Sequence, residues 1–351
     1  MALPNKPVGL YWESYYTVGG NPTQRITTFP DPGSNPAAAG YINVIFVFQM
    51  LPTTPVAAVY MPAFSSGITQ AQFNADLVTC RARGQVVLLT IGGAGAQVDV
   101  TSQAKADNFV QSIKNINVQC GGSGTTPAFD GIDWNSYEGT PASGQWLTYC
   151  SLALKEFYGS DFLITSPPAV HEQFVNGQAW LDRQVLAEMH AGGTSGSYTG
   201  TALDWICPQF YDGAGNNVPS FVRSTLDFYN TTVTVSLNNG NTTASQQIPR
   251  TKIGIGYRIG AEANSWTTTN AASNYTAAID AGKSPRGAFN FSAGNNPSNT
   301  FATQVAPTIL GSAGPAGTLT TVKRINTLFT ASVKRINGIL IANVKSWLGK
   351  T

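Results

Sequence analysis

Charge is what this chain lacks most. Only 11% of its 351 residues are Asp, Glu, Lys or Arg, against roughly 25% in an ordinary soluble domain. The net charge is +2, so there is no strong field to draw in nucleic acid or an anionic membrane. Neither is expected as a partner. Histidine is scarcer still, with His171 and His190 alone. The four cysteines (Cys80, Cys120, Cys150 and Cys207) show no Cys-x-x-Cys spacing, and with two histidines they make a zinc site a poor expectation. Two disulfides or four buried free thiols remain open for them. Apolar runs of membrane-spanning length are missing too, since Val44–Phe48 and Val86–Ile91 are only strand-length. The first ten residues, MALPNKPVGL, lack a basic segment followed by an apolar one, so no signal peptide is expected.

What is present is a large apolar fraction, 42%, enough for a sizeable core. It is distributed in eight short β-rich runs: Val8–Trp12, Ile42–Phe48, Gln85–Ile91, Phe129–Trp134, Phe162–Ser166, Trp205–Phe210, Lys252–Tyr257 and Gly287–Ser292. Between them lies enough chain for a loop, a helix and a return. Several intervals carry helical periodicity. Phe73 and Leu77 share a face after a capping Thr69 or Gly67, and Ala104–Ile116, Gln145–Phe157 and Gly177–Met189 read likewise. Eight strand–helix units predict a closed (β/α)8 TIM barrel. The alternative, a doubly wound open sheet, has no glycine-rich phosphate loop after the first strand to support it. No cofactor is implied.

The barrel is expected over residues 1–296, with its eighth helix poorly marked between Asn296 and Leu310. A Gly/Pro/Ser/Thr-rich linker is expected over 297–321 and a β-rich tail over 322–351. In the tail, Val-Lys-Arg-Ile-Asn, Val-Lys-Arg-Ile-Asn-Gly and Val-Lys-Ser-Trp begin at 322, 333 and 344, 11 residues apart. That is an internal repeat. An 11-residue period also suits a right-handed helical supercoil, but Ile336-Asn-Gly-Ile339 predicts a hairpin.

The chemistry is concentrated in the fourth run, Phe129-Asp-Gly-Ile-Asp-Trp-Asn-Ser-Tyr-Glu-Gly139. Alternation puts 133, 135 and 137 on one face, toward the barrel mouth. The run resembles the DGxDxDxE signature of family-18 glycoside hydrolases, the chitinases and endo-β-N-acetylglucosaminidases. Other stretches resemble the family's landmarks in order: Val8-Gly-Leu-Tyr-Trp12 its first strand, Val87-Leu-Leu-Thr-Ile-Gly-Gly93 its SxGG strand, and Pro208-Gln-Phe-Tyr-Asp212 its sixth-strand Tyr-Asp. Gly287-Ala-Phe-Asn-Phe-Ser292 resembles its eighth strand, with Phe291 where the family keeps a tryptophan floor.

The resemblance implies a substrate-assisted mechanism, in which the sugar's acetamido oxygen attacks and the protein supplies an acid and a stabilising carboxylate. Asp133 then corresponds to the inner aspartate. Asn135 stands where a second aspartate belongs, and cannot offset positive charge. Tyr137 holds the acid's place, while Glu138 comes one residue late, on the opposite face unless a β-bulge turns it back. Tyr211, Asp212 and Gln209 are implied in binding the N-acetyl group, with the alternative that Tyr211 packs the mouth and Asp212 caps a helix. Trp12 and Glu13 could line a sugar subsite, or Trp12 could be barrel core. Trp134 is expected to pack outward. His171 could line the mouth or sit on the surface.

Three functions follow from different classes. One is a glycan-binding pseudoenzyme recognising N-acetylglucosamine-type sugars. Another is an active endo-glycosidase with Glu138 as acid. The third is a structural or assembly protein. The repeat resembles tail segments of phage structural proteins, which implies a virion component assembling through 322–351, or an extracellular location after release.

Overall fold

A computed structural model describes residues 1–13, 25–32, 40–64, 67–93, 96–135, 144–170, 178–212, 215–237, 242–260, 264–296, 298–311, 335–336 and 339–340. The chain divides into two compact units, Met1–Gly314 and Pro315–Thr351.

The first unit is a barrel of eight parallel strands, as the sequence predicts: β1 (Val8–Glu13), β2 (Val44–Thr53), β3 (Val86–Gly92), β4 (Gly131–Asn135), β5 (Leu163–Ser166), β6 (Trp205–Ile206), β7 (Ile255–Tyr257) and β8 (Ala288–Asn290). β1 pairs with both β2 and β8, and pairing runs unbroken from β2 to β6 and from β7 to β8. Closure between β6 and β7 comes from backbone bonds just past the short strands. Gly254 N donates to Ile206 O at 2.7 Å, Gly256 N to Pro208 O at 2.8 Å, and Phe210 N to Gly256 O at 3.0 Å.

Both faces of each strand are covered, so the strands read as nearly continuous apolar runs. Alternation nevertheless sorts them. Tyr11, Val44, Phe46, Val86, Leu88, Trp205 and Phe289 fill the interior, while Leu10, Ile45, Val47, Val87, Leu89 and Ile132 pack outward. Gly9 belongs to the crowded inner layer, where an added Cβ would lie 2.6 Å from the Phe46 ring. At Gly131 a Cβ would meet the Leu163 carbonyl oxygen at 2.0 Å. That close approach explains the glycine of the Asp-Gly pair. Asp130 beside it is buried and structural, accepting from Val87 N at 3.0 Å and Arg81 Nε at 3.1 Å.

The outer ring comprises α1 (Gln70–Ala82), α2 (Gln103–Gln119), α3 (Gly144–Tyr158), α4 (Gln178–Ala191), α5 (Pro219–Tyr229), α6 (Thr268–Asp280) and α7 (Ala306–Leu310). Thr69 caps α1 reciprocally with Gln72, a capping box. α7 continues a π-helical turn, Phe301–Val305, and buries Phe301, Val305 and Ile309 in the outer core. Packed structure therefore runs past residue 296. Trp134 packs outward as predicted, stacked on Phe109 at 4.5 Å with its indole N–H on Ser151 Oγ at 2.9 Å. All four cysteines are buried free thiols. No described helix is long and apolar enough to cross a membrane.

In the second unit, Arg335–Ile336 and Ile339–Leu340 pair antiparallel, while Asn337 and Gly338 lie outside the described residues.

Candidate functional site

Inward-facing residues near the C-terminal ends of the strands build the site, and its deepest part is Asp133. Three hydroxyls converge on this buried carboxylate. Tyr11 Oη donates to Oδ2 at 2.6 Å, Thr90 Oγ1 to Oδ2 at 3.2 Å, and Thr165 Oγ1 to Oδ1 at 2.6 Å. They come from β1, β3 and β5, so the network ties β4 to three other strands. Burial pushes the Asp133 pKa up to about 6, although the three hydrogen bonds pull the other way. Desolvation penalises the ion more than these donors stabilise it. The same burial, together with the Asp133 charge, holds the Tyr11 phenol well above its ordinary value.

Two residues on, Asn135 faces the same way, as strand alternation requires. Its Oδ1 lies 3.4 Å from Gln209 Nε2, a long contact, and that amide also donates to Pro167 O at 2.6 Å. Gln209 thereby bridges the ends of three strands.

Aromatic rings adjoin this polar group, with the Tyr11 ring 5.6 Å from that of Phe291. Tyr211 and Phe291 stack at 5.9 Å with planes 12° apart. Phe48 meets Phe291 edge-on at 5.4 Å. Backbone anchors hold the segment after β6 in place: Trp266 Nε1 donates to Phe210 O at 2.7 Å and Asn216 Nδ2 to Tyr211 O at 3.1 Å. Asp212 then takes a left-handed φ of 62°, which aspartate tolerates better than most residues. Its carboxylate is ion-paired to Arg258 at the end of β7. Next to this pair, Glu13 Oε2 accepts from Ser292 Oγ at 2.5 Å. Burial raises the Glu13 pKa, against the pull of the Ser292 hydroxyl and the Arg258 charge.

The arrangement is a buried polar cluster beside an aromatic pair, on a fold that chitinases share. No protein-family model matches the chain. In sequence it is 27% identical over 168 residues to Chitinase 2 of Rhizopus oligosporus, covering 45% of this chain and 30% of that protein. It is 32% identical over 108 residues to Exochitinase 1 of Streptomyces olivaceoviridis, 28% of this chain and 18% of that one. The chain thus spans less than a third of the length of these curated relatives. In structure it superposes on a family-18 chitinase from Chromobacterium violaceum with a TM-score of 0.64 at 18% identity, over 88% of this chain and 85% of that one. It also superposes on a chitinase-like agglutinin from Robinia pseudoacacia, with a TM-score of 0.52 at 13% identity over 87% and 99%.

The barrel has the family-18 glycoside hydrolase fold.

In this barrel Asp133, Asn135, Gln209, Tyr211 and Phe291 stand together near the C-terminal ends of the strands, with Asp212 next to Tyr211. Trp12 does not join them. Its ring stacks on Phe73 of α1 at 5.6 Å and 10° and lies in the outer layer. That corrects the expectation of a sugar subsite there: Gly9, Tyr11 and Glu13 take the inward positions of β1, and Trp12 falls between them. Tyr137, Glu138 and His171 lie outside the described residues. Sequence reading overlooked Tyr11, Thr165, Ser292 and Arg258. Thr90 and Thr165 did carry a signal, each being a hydroxyl inside an otherwise apolar strand.

Proposed function

We propose that the barrel mouth binds glycans containing N-acetylglucosamine, and that it has lost efficient hydrolysis. Asn135 carries this reading. In a substrate-assisted reaction positive charge develops on the acetamido group, and a carboxylate at this position would offset it. A neutral amide can orient that group by hydrogen bonding but supplies no charge. Asp133 does not substitute for it, because both its oxygens are already engaged by Tyr11, Thr90 and Thr165. Phe291, half-buried above the Tyr211 ring, offers apolar surface of the kind that packs against pyranose rings. Sugar binding without turnover has a precedent in name on this fold, the Robinia protein being an agglutinin.

The competing reading is an active endo-glycosidase in which Glu138 reaches the leaving oxygen. Hydrolysis of a fluorogenic N-acetylglucosamine oligomer separates the two. No turnover by wild type, with binding retained, supports the proposal. Turnover that disappears in Glu138→Gln overturns it.

The repeat tail supports a further part of the proposal, that residues 322–351 mediate assembly, as in a virion component that displays the barrel outside the cell. If a chain truncated after Leu310 assembles as the full chain does, the tail has no such role.

A further inference from the structure

Away from the strand ends, α2 and α3 enclose a groove of about 560 Å3 on the outer ring of the barrel. That volume lies within the range of ligand pockets, roughly 300–1,000 Å3. Helical spacing builds two of its sides. Asp107, Val110, Gln111 and Lys114 share one face of α2, and Tyr149, Ala153, Glu156 and Phe157 share one face of α3. The third side is an addition to the strand–helix units: a short hairpin between α4 and β6, pairing Gly193–Ser195 with Tyr198–Gly200. Glu156 fastens its tip to α3, accepting from Ser195 Oγ at 2.9 Å and from Ser197 N at 3.2 Å. Gly196 between them has a φ of 51°, and a Cβ there would collide with the Glu156 carboxylate.

The chemistry of the lining narrows what the groove can take. Asp107 already accepts from Tyr149 Oη at 2.8 Å and Gln103 Nε2 at 3.1 Å, and Glu156 is held by the hairpin, so neither carboxylate is a bare charge awaiting a cation. Lys114 Nζ lies over the Phe157 ring, 3.8 Å from its centroid, and makes no ion pair or hydrogen bond among the described residues. An anion drawn to it would also meet Glu156, a like-charge contact. A neutral ligand rich in hydroxyls suits both. Lys114 donates, the carboxylates keep lone pairs that accept, and the hydroxyls of Thr125 and Ser197 do either. Val110, Ala153 and the Tyr149 ring supply apolar surface for the C–H faces of a sugar.

We infer that this groove is a second saccharide site, which takes a neutral oligosaccharide on the outside of the barrel. It is independent of the reading of the barrel mouth. A polymer long enough to reach both sites would be held more firmly than either alone would hold it, because the second contact is made at high effective concentration.

Trp146 packs edge-on against Tyr149, with ring centroids 6.1 Å apart and planes at 75°, and so reports on the groove. The full chain is labelled with fluorotryptophan, the Trp146 line is assigned through Trp146→Phe, and fluorine NMR follows titration with the tetramers of N-acetylglucosamine and of glucose. The Trp146 line shifts saturably with at least one of them, with a Kd on the order of 10 mM, and shifts equally in Phe291→Ala. Lys114→Ala weakens this binding about fivefold, and Ala153→Arg, which fills the groove from α3, abolishes it. No shift in folded wild type with either sugar, or a shift unchanged in Ala153→Arg, overturns the inference and leaves the mouth untouched. A shift lost in Phe291→Ala makes the signal a remote effect of the mouth and also overturns it. A shift given by a galacturonate oligomer and by neither neutral tetramer overturns it in favour of an acidic occupant. Should Ala153→Arg not fold, Lys114→Ala combined with Gln111→Ala decides in its place. The mouth reading fails separately, if tetramer binding survives Phe291→Ala in full and is lost in Ala153→Arg.

Discussion

Tyr11 on the first strand and Asp133 on the fourth meet inside the barrel, hydroxyl to carboxylate Oδ2 at 2.6 Å, and the burial of that carboxylate sets the pH behaviour of the core. The folded-state pKa of Asp133, about 6, lies above the usual 3.8, so the fold prefers the neutral acid. Its stabilising contribution is complete below the unfolded value and is lost as pH rises through about 6. Urea unfolding from pH 4 to pH 7 should show wild type losing about 2–3 kcal/mol relative to Asp133→Asn, which has no proton to lose. Parallel pH profiles for the two proteins would contradict the assignment.

Trp12 is a packing residue. Trp12→Ala is expected to cost about 3–5 kcal/mol in urea unfolding, the usual range for emptying a buried aromatic site. Oligosaccharide affinity of the folded fraction should stay unchanged. A selective loss of affinity without loss of stability would return Trp12 to the sugar site.

Lys155 is buried, and its ammonium is held by Asp204 Oδ2 at 2.8 Å and Ser160 O at 3.1 Å. Asp204→Ala strands that cation in the barrel wall and should cost about 3 kcal/mol. Lys155→Met removes the charge along with the need for a partner and should cost clearly less. Equal losses in the two variants would mean that the pair is not effectively desolvated.

The thiols should be inert in the native state. Burial raises Cys80 and Cys120 to about 12, and lifts Cys150 and Cys207 well above the usual range, so almost no thiolate is present at neutral pH. Mass spectrometry after brief alkylation should find no modification of folded protein and four adducts after unfolding. Rapid native labelling would contradict the burial.

Strand positions and faces were legible because apolar runs bounded by turns survive in any (β/α)8 sequence, and parity alone places Asp133 and Asn135 inward and Trp134 outward. The same parity also excludes Trp12 from the mouth, although its aromatic character draws attention there. Helices α5 and α6 were harder to read. α6 is Thr-Thr-Asn-Ala-Ala-Ser-Asn-Tyr, poor in the long apolar residues that mark a stripe, and its clue is the Thr267 cap on Asn270 N at 3.1 Å. α5 has Pro219 at its first position and carries an apolar stripe, Val222, Leu226 and Tyr229, that was overlooked. The Asp133 network and the pairing of Glu13 with Ser292 join residues more than thirty positions apart, and no local pattern encodes such meetings.

The most direct test of the account is calorimetric titration of wild type and Phe291→Ala with an N-acetylglucosamine oligomer. The account predicts saturable binding with a Kd of ~1 mM or tighter, weakened about tenfold when the Phe291 ring is removed. No saturable binding by folded wild type at millimolar ligand, or equal affinity in Phe291→Ala, would contradict it.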